Sequence, residues 1–471
     1  MTINWMNEVE NRKEDLLKDL QKFLQIKSVM DEEDATEEAP LGKGVKEALD
    51  YMLSLGEKDG FTPKNVGNLA GHLEFGEGED LLGILCHVDV VPEGDGWSVD
   101  PFGGEIKDGK IFARGAIDDK GPTMAAYYAM KIVKELGVPF NKRIRMIIGT
   151  DEESDWRCVD HYFKNEEMPT MGFAPDADFP IIYAEKGIAD YDLVQEKTRD
   201  AEAEGIRVKH FESGRRYNMV PDHAKAVLRM DEDHTKWVQY FDTFTKDEGI
   251  KGDCFMENGE LVITMEGVSS HGMEPDNGKN AGLYLAAFLS KLPLAPYEAD
   301  FFGFTSKHFF KDSRGVQLGV SFTDDITGDL TINVGKLRFS EEDGGRIGLN
   351  MRYPVTFDMD KGRKILDSVE GYSIENFDDS EPHHVSADDD FVRTLQKVYE
   401  DQTGEKAELL SIGGGTYARS LETGVAFGAL FPGREDIAHQ KDEYMYIEDL
   451  LKATAIYAQA IYELTCEQSS R

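Results

Sequence analysis

Between residues 81 and 184 the chain alternates short apolar runs with a helical stripe, and the ends of these segments carry imidazole or carboxylate groups. Leu81–Cys86 has the composition of a buried strand and runs into His87-Val88-Asp89. Lys120 to Leu136 predicts a helix: Pro122 stands near its start, Met124, Tyr128, Ile132, Val133 and Leu136 form the stripe, and Gly137 ends it. Asp118 and Asp119 lie immediately before that helix. Arg143–Gly149 reads as a second strand, followed by Glu152 and Glu153, and Asp176 stands ahead of a strand over Pro180–Ala184. Strands alternating with helices predict a mostly parallel sheet covered on both faces. Ligands of such sheets bind outside the carboxyl ends of the strands, where these acids and His87 are expected to converge.

Carboxylates gathered in one place repel one another unless protons or cations neutralise them. A pair of divalent metals meets that demand and suits mixed His and carboxylate ligands. In His87-x-Asp89 both side chains face the same way on an extended segment, so Asp89 can accept the second imidazole N–H and orient a metal-binding His87. In Glu152-Glu153 adjacent side chains point apart, so one can hold a metal while the other faces a water as general base. Singly, each feature has an ordinary explanation. An Asp pair before a helix favours its N-terminus, and two adjacent glutamates mean little in a chain with 91 acidic residues. The set, in this order and at these segment ends, is what points to a metal centre.

Elsewhere, Val9, Leu16, Leu20, Phe23 and Leu24 recur at helical spacing, and Gly44–Lys58 forms a second amphipathic stretch with Gly60 as its stop. From about Gly187 the texture changes to alternating segments such as Gly259–Met265 and Leu330–Leu337, with helical stretches near Asn280–Leu292 and Asp360–Val369. After His384 the helix-and-strand texture returns. Ser386 is the expected N-cap of a helix carrying Phe391, Leu395, Val398 and Tyr399, and a last helix runs over about Tyr446–Leu464. The predicted layout is an α/β domain over 1–186 and 385–471, interrupted by an α+β insert over 187–384. His383-His384 reads as linker beside that boundary, and the acidic run Asp31–Glu38 as a solvated loop.

Lys and Arg number 52 against 91 acids, a net charge of −39, which excludes a general nucleic-acid binder and disfavours anionic membrane surfaces. Four scattered cysteines make no disulfide framework, and Cys158-x-x-His161 reads as a helix face rather than half a metal site. The N-terminus lacks the basic and apolar regions of a signal peptide, and no apolar run approaches the roughly 20 residues of a membrane span. The expectation is a soluble, cytoplasmic protein.

The segments HVDVVPEGDGW, ARGAIDDKGP and GTDEESDW resemble motifs of the aminoacylase/carboxypeptidase G superfamily of di-metal peptidases, and within it those of the bacterial PepV-type dipeptidases. FAPDADFPI, RYNMVPDHA, SSHGMEP, MRYP, IGGGTYAR, GVAFGALFPG and AHQKDEYM follow in the same order, so the resemblance spans essentially the whole chain. It implies a discontinuous di-metal exopeptidase catalytic domain and an inserted α+β lid. His87 and Asp176 would hold one metal, Glu153 and His439 the other, and Asp118 would bridge both through a cis peptide to Asp119. Asp89 would orient His87, and Glu152 would serve as general base and then as proton donor. In the lid, Asn218 and His271 would stabilise the oxyanion. Arg352 and the Gly413-Gly414-Gly415 loop would receive the substrate carboxylate.

The resemblance thus implies a metal-dependent dipeptidase that hydrolyses unblocked dipeptides to free amino acids by way of a metal-activated bridging water. Its cofactors would be two divalent ions per chain, zinc or manganese. The partner would be a small dipeptide, with neither nucleic acid nor membrane, and the large insert would let the protein act as a monomer. Two alternatives stand beside this reading: an aminoacylase-like amidohydrolase of the same superfamily, and a catalytically silent metal- or peptide-binding protein.

Overall fold

The computed structural model describes residues 3–196, 203–229 and 235–466. The chain divides into two compact units: residues 1–183, 384–410 and 416–471 form one, and residues 184–383 with 411–415 form the other. The second unit spans 184–383, against an expected insert of 187–384, and includes the further segment 411–415.

The sheet of the first unit runs in the order Thr62–Val66, Ala70–Gly76, Arg143–Gly149, Leu81–His87, Met171–Ala174, Gly424–Ala426, Ile181–Glu185. Its four central strands, from Arg143–Gly149 to Gly424–Ala426, are parallel to one another. The flanking pairs are antiparallel. Parallel pairing is therefore confined to the centre, where burial on both faces explains why Leu81–His87 is an unbroken buried run. Met171–Ala174 is a strand that the sequence reading passed over. It is only four residues long, too short to show a pattern.

The helix over Lys120–Glu135 is buried almost all round rather than on one stripe. It packs against the terminal helix Ile447–Thr465, which is itself buried along most of its length. The helix after residue 386 is Asp390–Thr403, and its cap is Asp389, whose carboxylate accepts the Phe391 N–H at 2.8 Å. Ser386 instead accepts the Asp388 N–H in the preceding turn. His383–His384 is a two-residue strand rather than free linker. Asp31–Glu38 is an irregular loop, most of it exposed.

The second unit is built on an eight-stranded sheet in which every pair is antiparallel. Its long central strands Thr331–Ser340 and Gly344–Tyr353 lie beside Gly187–Gln195. Helices Ala281–Leu289 and Pro296–Phe309 join the same apolar core. Gly345 is required there, because a Cβ at this position would come within 2.1 Å of the Phe301 ring. Asn280 caps the first of these helices through the Leu283 N–H.

Candidate active site

In the first unit the expected ligands meet at the carboxyl end of the parallel strands. His87 ends the strand Leu81–His87, and Asp176 follows Met171–Ala174. Glu152 and Glu153 sit in the turn after Arg143–Gly149. That turn is braced by Asp151, which accepts from Ser154 Oγ at 2.6 Å and from Arg157 Nε at 2.7 Å. Asp118 is not at the end of a sheet strand. It lies in the turn leading into the helix Lys120–Glu135, and its peptide bond to Asp119 is cis.

Asp118 divides its carboxylate between two imidazoles. Its Oδ1 is 3.1 Å from His87 Nε2, and its Oδ2 is 3.0 Å from His439 Nε2. His87 Nε2 also faces Asp176 Oδ2 at 3.5 Å, and His439 Nε2 faces Glu153 Oε2 at 3.0 Å. Two donor groups result, His87–Asp118–Asp176 and Asp118–Glu153–His439, with Asp118 common to both. A cleft of about 200 Å³ opens beside Asp118 and Asp176.

The buried carboxylates and imidazoles of the site shift one another strongly. Burial pushes the carboxyls of Asp176 and Glu153 up, and Asp118 adds to the effect in both. Asp118 itself is held below the usual range by its two imidazoles, against the opposing effect of burial. The hydrogen bonds to Asp118 and Glu153 raise His439 to about 10. Burial works to lower His87, yet Asp176, Asp118 and Asp89 raise it well above the ordinary value. Mixed oxygen and imidazole donors with Asp118 shared between two groups suit a pair of divalent cations, which would take the place of the protons these shifts imply. Glu152 is different: burial raises its carboxyl strongly, with Asp176, Asp118 and Glu153 adding to it, and no imidazole bonds to it. A buried carboxyl raised in this way suits proton transfer.

Asp89 lies beside His87 as expected, with a difference in detail. His87 Nδ1 is 3.1 Å from the Asp89 backbone oxygen in hydrogen-bond geometry, whereas the carboxylate Oδ1 stands at 3.3 Å and is buried without a hydrogen bond. The other carboxylate oxygen accepts the Glu153 N–H at 3.1 Å. Asp89 therefore joins the two ligand-bearing turns, and its carbonyl fixes the His87 tautomer.

Several residues here hold roles that the sequence does not assign to them. Asp119 accepts the His87 N–H at 3.2 Å and the Thr123 hydroxyl at 2.9 Å. Tyr417 sets its ring edge-on to His87 at 6.0 Å and meets Cys158 Sγ through its hydroxyl at 3.2 Å. Buried Glu443 and Arg114 form an ion pair at 2.5 Å. Burial and neighbouring Asp118 lift Glu443 to about 7, against the pull of Ile117 N–H and Arg114.

The second unit carries the other candidates. Arg352 is buried, donating from Nε to Asn350 Oδ1 at 2.9 Å and from Nη1 to the Gly413 carbonyl at 3.1 Å. Asn350 in turn donates to Asp190 at 2.6 Å. Gly413 belongs to the segment 411–415, and the Gly413–Gly415 turn thus sits beside the guanidinium. Asn218 and His271 are adjacent: Met219 and His271 form an antiparallel bridge, and Gly272 N–H donates to the Asn218 carbonyl at 2.7 Å. His271 Nδ1 accepts the Met273 N–H at 3.2 Å, which leaves the proton on Nε2. Burial and the Arg352 charge hold this imidazole below the ordinary value, hence neutral at pH 7.

Residues 83–463 match the model of peptidase family M20/M25/M40. The chain is 56% identical over 464 residues to "Putative dipeptidase YtjP" of Bacillus subtilis (strain 168), covering 98% of this chain and 100% of that one. It is 48% identical to "Putative dipeptidase" of Staphylococcus epidermidis (strain ATCC 12228 / FDA PCI 1200), with the same coverage. Among solved structures, the fold is similar to aminoacylhistidine dipeptidase from Vibrio alginolyticus, with a TM-score of 0.57 at 14% identity, covering 96% of this chain and 97% of that one. It is also similar to human carnosine dipeptidase 1, with a TM-score of 0.54 at 14% identity and 98% coverage of both chains. No helix among the described residues is long and apolar enough to cross a membrane.

Proposed function

The chain belongs to peptidase family M20/M25/M40, a family of peptide-bond hydrolases, and from that premise we propose that it is a metal-dependent dipeptidase cleaving unblocked dipeptides to free amino acids. The observation that carries this reading is the division of the Asp118 carboxylate between His87 and His439, each backed by a further carboxylate. The dipeptide assignment is supported by relatives named as dipeptidases.

His87, Asp118 and Asp176 would hold one divalent ion, and Asp118, Glu153 and His439 the other, zinc or manganese in each place. Bound there, the ions would supply Lewis-acid chemistry: polarisation of the scissile carbonyl and acidification of water. Asp89 and Asp119 hold His87 in place through its ring and its backbone N–H. Glu152 takes the proton of the attacking water and returns it to the leaving amine, the role for which a buried carboxyl with a raised proton affinity is suited. His271, neutral and protonated on Nε2, donates a hydrogen bond to the developing oxyanion, and Asn218 supports it. Arg352 takes the free carboxylate of the substrate in its planar fork, beside the Gly413–Gly415 backbone. The protein would act as a monomer in the cytoplasm.

The test is to strip the protein with chelator, restore zinc or manganese separately, and assay dipeptides against N-acyl amino acids. The reading expects activity only after metal return, with dipeptides faster. Faster cleavage of N-acyl amino acids would make it an aminoacylase-like enzyme, and no turnover with either metal would make it a binding protein.

A further inference from the structure

Glu443 is fully buried, close to a region already crowded with Asp118, Glu152, Glu153 and Asp176. One more acid there is unfavourable unless its oxygens are fully used. They are. Oε2 accepts from Arg114 Nη1 at 2.5 Å and from the Gly115 N–H at 3.1 Å. Oε1 accepts from the Ile117 N–H at 2.9 Å and the Asp118 N–H at 3.3 Å. The side chain thus gathers the amides of the turn that presents Asp118.

Arg114 completes the arrangement from the other side. Its Nη2 donates to the carbonyl of His439 at 3.2 Å and to that of Glu93 at 3.3 Å. The backbone supplies the register: Tyr444–Tyr446 pairs antiparallel with Lys110–Phe112, and the Ala113 N–H donates to the Glu443 carbonyl at 3.1 Å. That pairing sets the loop 439–443 alongside the turn 113–118. His439 itself is held in the left-handed region at φ 62°, a conformation that a non-glycine residue keeps only when its surroundings impose it. None of these bonds reaches His87 or Asp176. His87 is fixed by its strand, and the turn after Asp176 by the Ala177 N–H to the Gly428 carbonyl at 2.7 Å.

We propose that the Arg114–Glu443 pair is a positioning device that locks the Asp118 turn to the His439 loop, and so sets the cation affinity of the Asp118–Glu153–His439 group more strongly than that of the His87–Asp118–Asp176 group, which shares Asp118 but not His439. This rests on the two-cation reading above. Both residues are positioning residues, acting through Asp118 and His439. Glu443→Gln keeps the shape but turns an NH2 toward N–H donors. Arg114→Lys keeps the charge but loses the fork that reaches the His439 carbonyl and Glu443 together.

The experiment titrates cobalt(II) into chelator-stripped full-length protein, followed by calorimetry and visible absorption, for the parent, Glu443→Gln and Arg114→Lys. The parent should take up two equivalents. In each variant one equivalent should weaken at least about tenfold, and clearly more than the other, with a changed cobalt spectrum for that step. Should Glu443→Gln fail to fold, as judged by circular dichroism of the stripped protein, Arg114→Lys carries the test alone. Two equivalents bound as in the parent, or both weakened in parallel, would overturn the proposal. A parent that binds fewer than two ions would overturn the two-cation reading instead, and this inference with it.

Discussion

The two units hold their candidate residues in opposite ways. In the first, the functional groups touch one another: Asp118 meets two imidazoles, and each imidazole meets a second carboxylate. In the second, Arg352, His271 and Asn218 are each held by neighbours outside the set, through Asn350, the Met273 N–H and the Gly272 N–H. Like charges brought together need a counter-charge, whereas a single guanidinium needs only orientation. The first arrangement implies an inorganic partner. The second implies a place for the anionic end of an organic one.

The contrast can be broken most severely at Glu152. Glu152→Ala is expected to lower kcat by about 10²–10⁴-fold, the range of a lost general acid–base, while both metal equivalents measured by elemental analysis persist. Near-normal turnover would remove Glu152 from its role. Arg352→Ala is expected to do the reverse of a metal-centre change, leaving metal content intact and lowering kcat/KM for dipeptides roughly 10- to 100-fold, the value of a hydrogen-bonded charge. C-terminally amidated dipeptides, poor substrates already, should lose little. If free and amidated substrates suffer alike, the carboxylate role fails.

A finer probe asks whether orientation alone matters in the second unit. Asn350→Ala removes the link between Asp190 and Arg352 and should raise KM about fivefold with kcat little changed, as expected for about 1 kcal/mol. An equal fall in kcat would show that the relay does more than hold Arg352.

The last probe reads stability rather than turnover, at an imidazole in the first unit, His72, whose Nδ1 meets a tyrosine hydroxyl. Burial lowers His72 to about 3, while its Nδ1 meets the Tyr162 hydroxyl at 2.7 Å. Between that value and the ordinary 6.5 the unfolded chain binds a proton that the folded chain does not, so stability falls as pH drops through this window. In chelator-stripped protein, His72→Gln should flatten the loss between pH 7 and 4.5, by at most about 2–3 kcal/mol. A denaturation midpoint with unchanged pH dependence would contradict this.

The difference between the units also explains what could be read from the sequence. His87, Asp118, Glu153 and Asp176 lie within one hundred residues, at the ends of short apolar runs and at a helix start, so their convergence followed from strand-and-helix logic. His439 did not. It and Glu443 reach the centre only because Tyr444–Tyr446 pairs with a three-residue strand far earlier in the chain, and pairing at that distance leaves no periodic trace. Arg352 resembles any arginine on a strand until the register sets it opposite Ile188 and Thr331 and the segment 411–415 supplies the Gly413 carbonyl. These positions were reached by resemblance, not by pattern. Arg114 and Asn350 were not singled out at all, since an ion pair or amide relay across the fold has no local signature. The parallel centre of the sheet was legible from Leu81–His87 and Arg143–Gly149, which are seven residues each and almost wholly buried, while its short members Met171–Ala174 and Gly424–Ala426 left no pattern. The mixed character of its flanks, such as the antiparallel Ala70–Gly76, was not legible.

The central claim is that Asp118 serves two cations at once. Crystals of the protein loaded with manganese, measured at the manganese absorption edge, test it directly. The account predicts two anomalous peaks per chain, one within bonding distance of His87 and Asp176, the other of Glu153 and His439, with an Asp118 oxygen on each. A single peak, or two with Asp118 bound to only one, would contradict it.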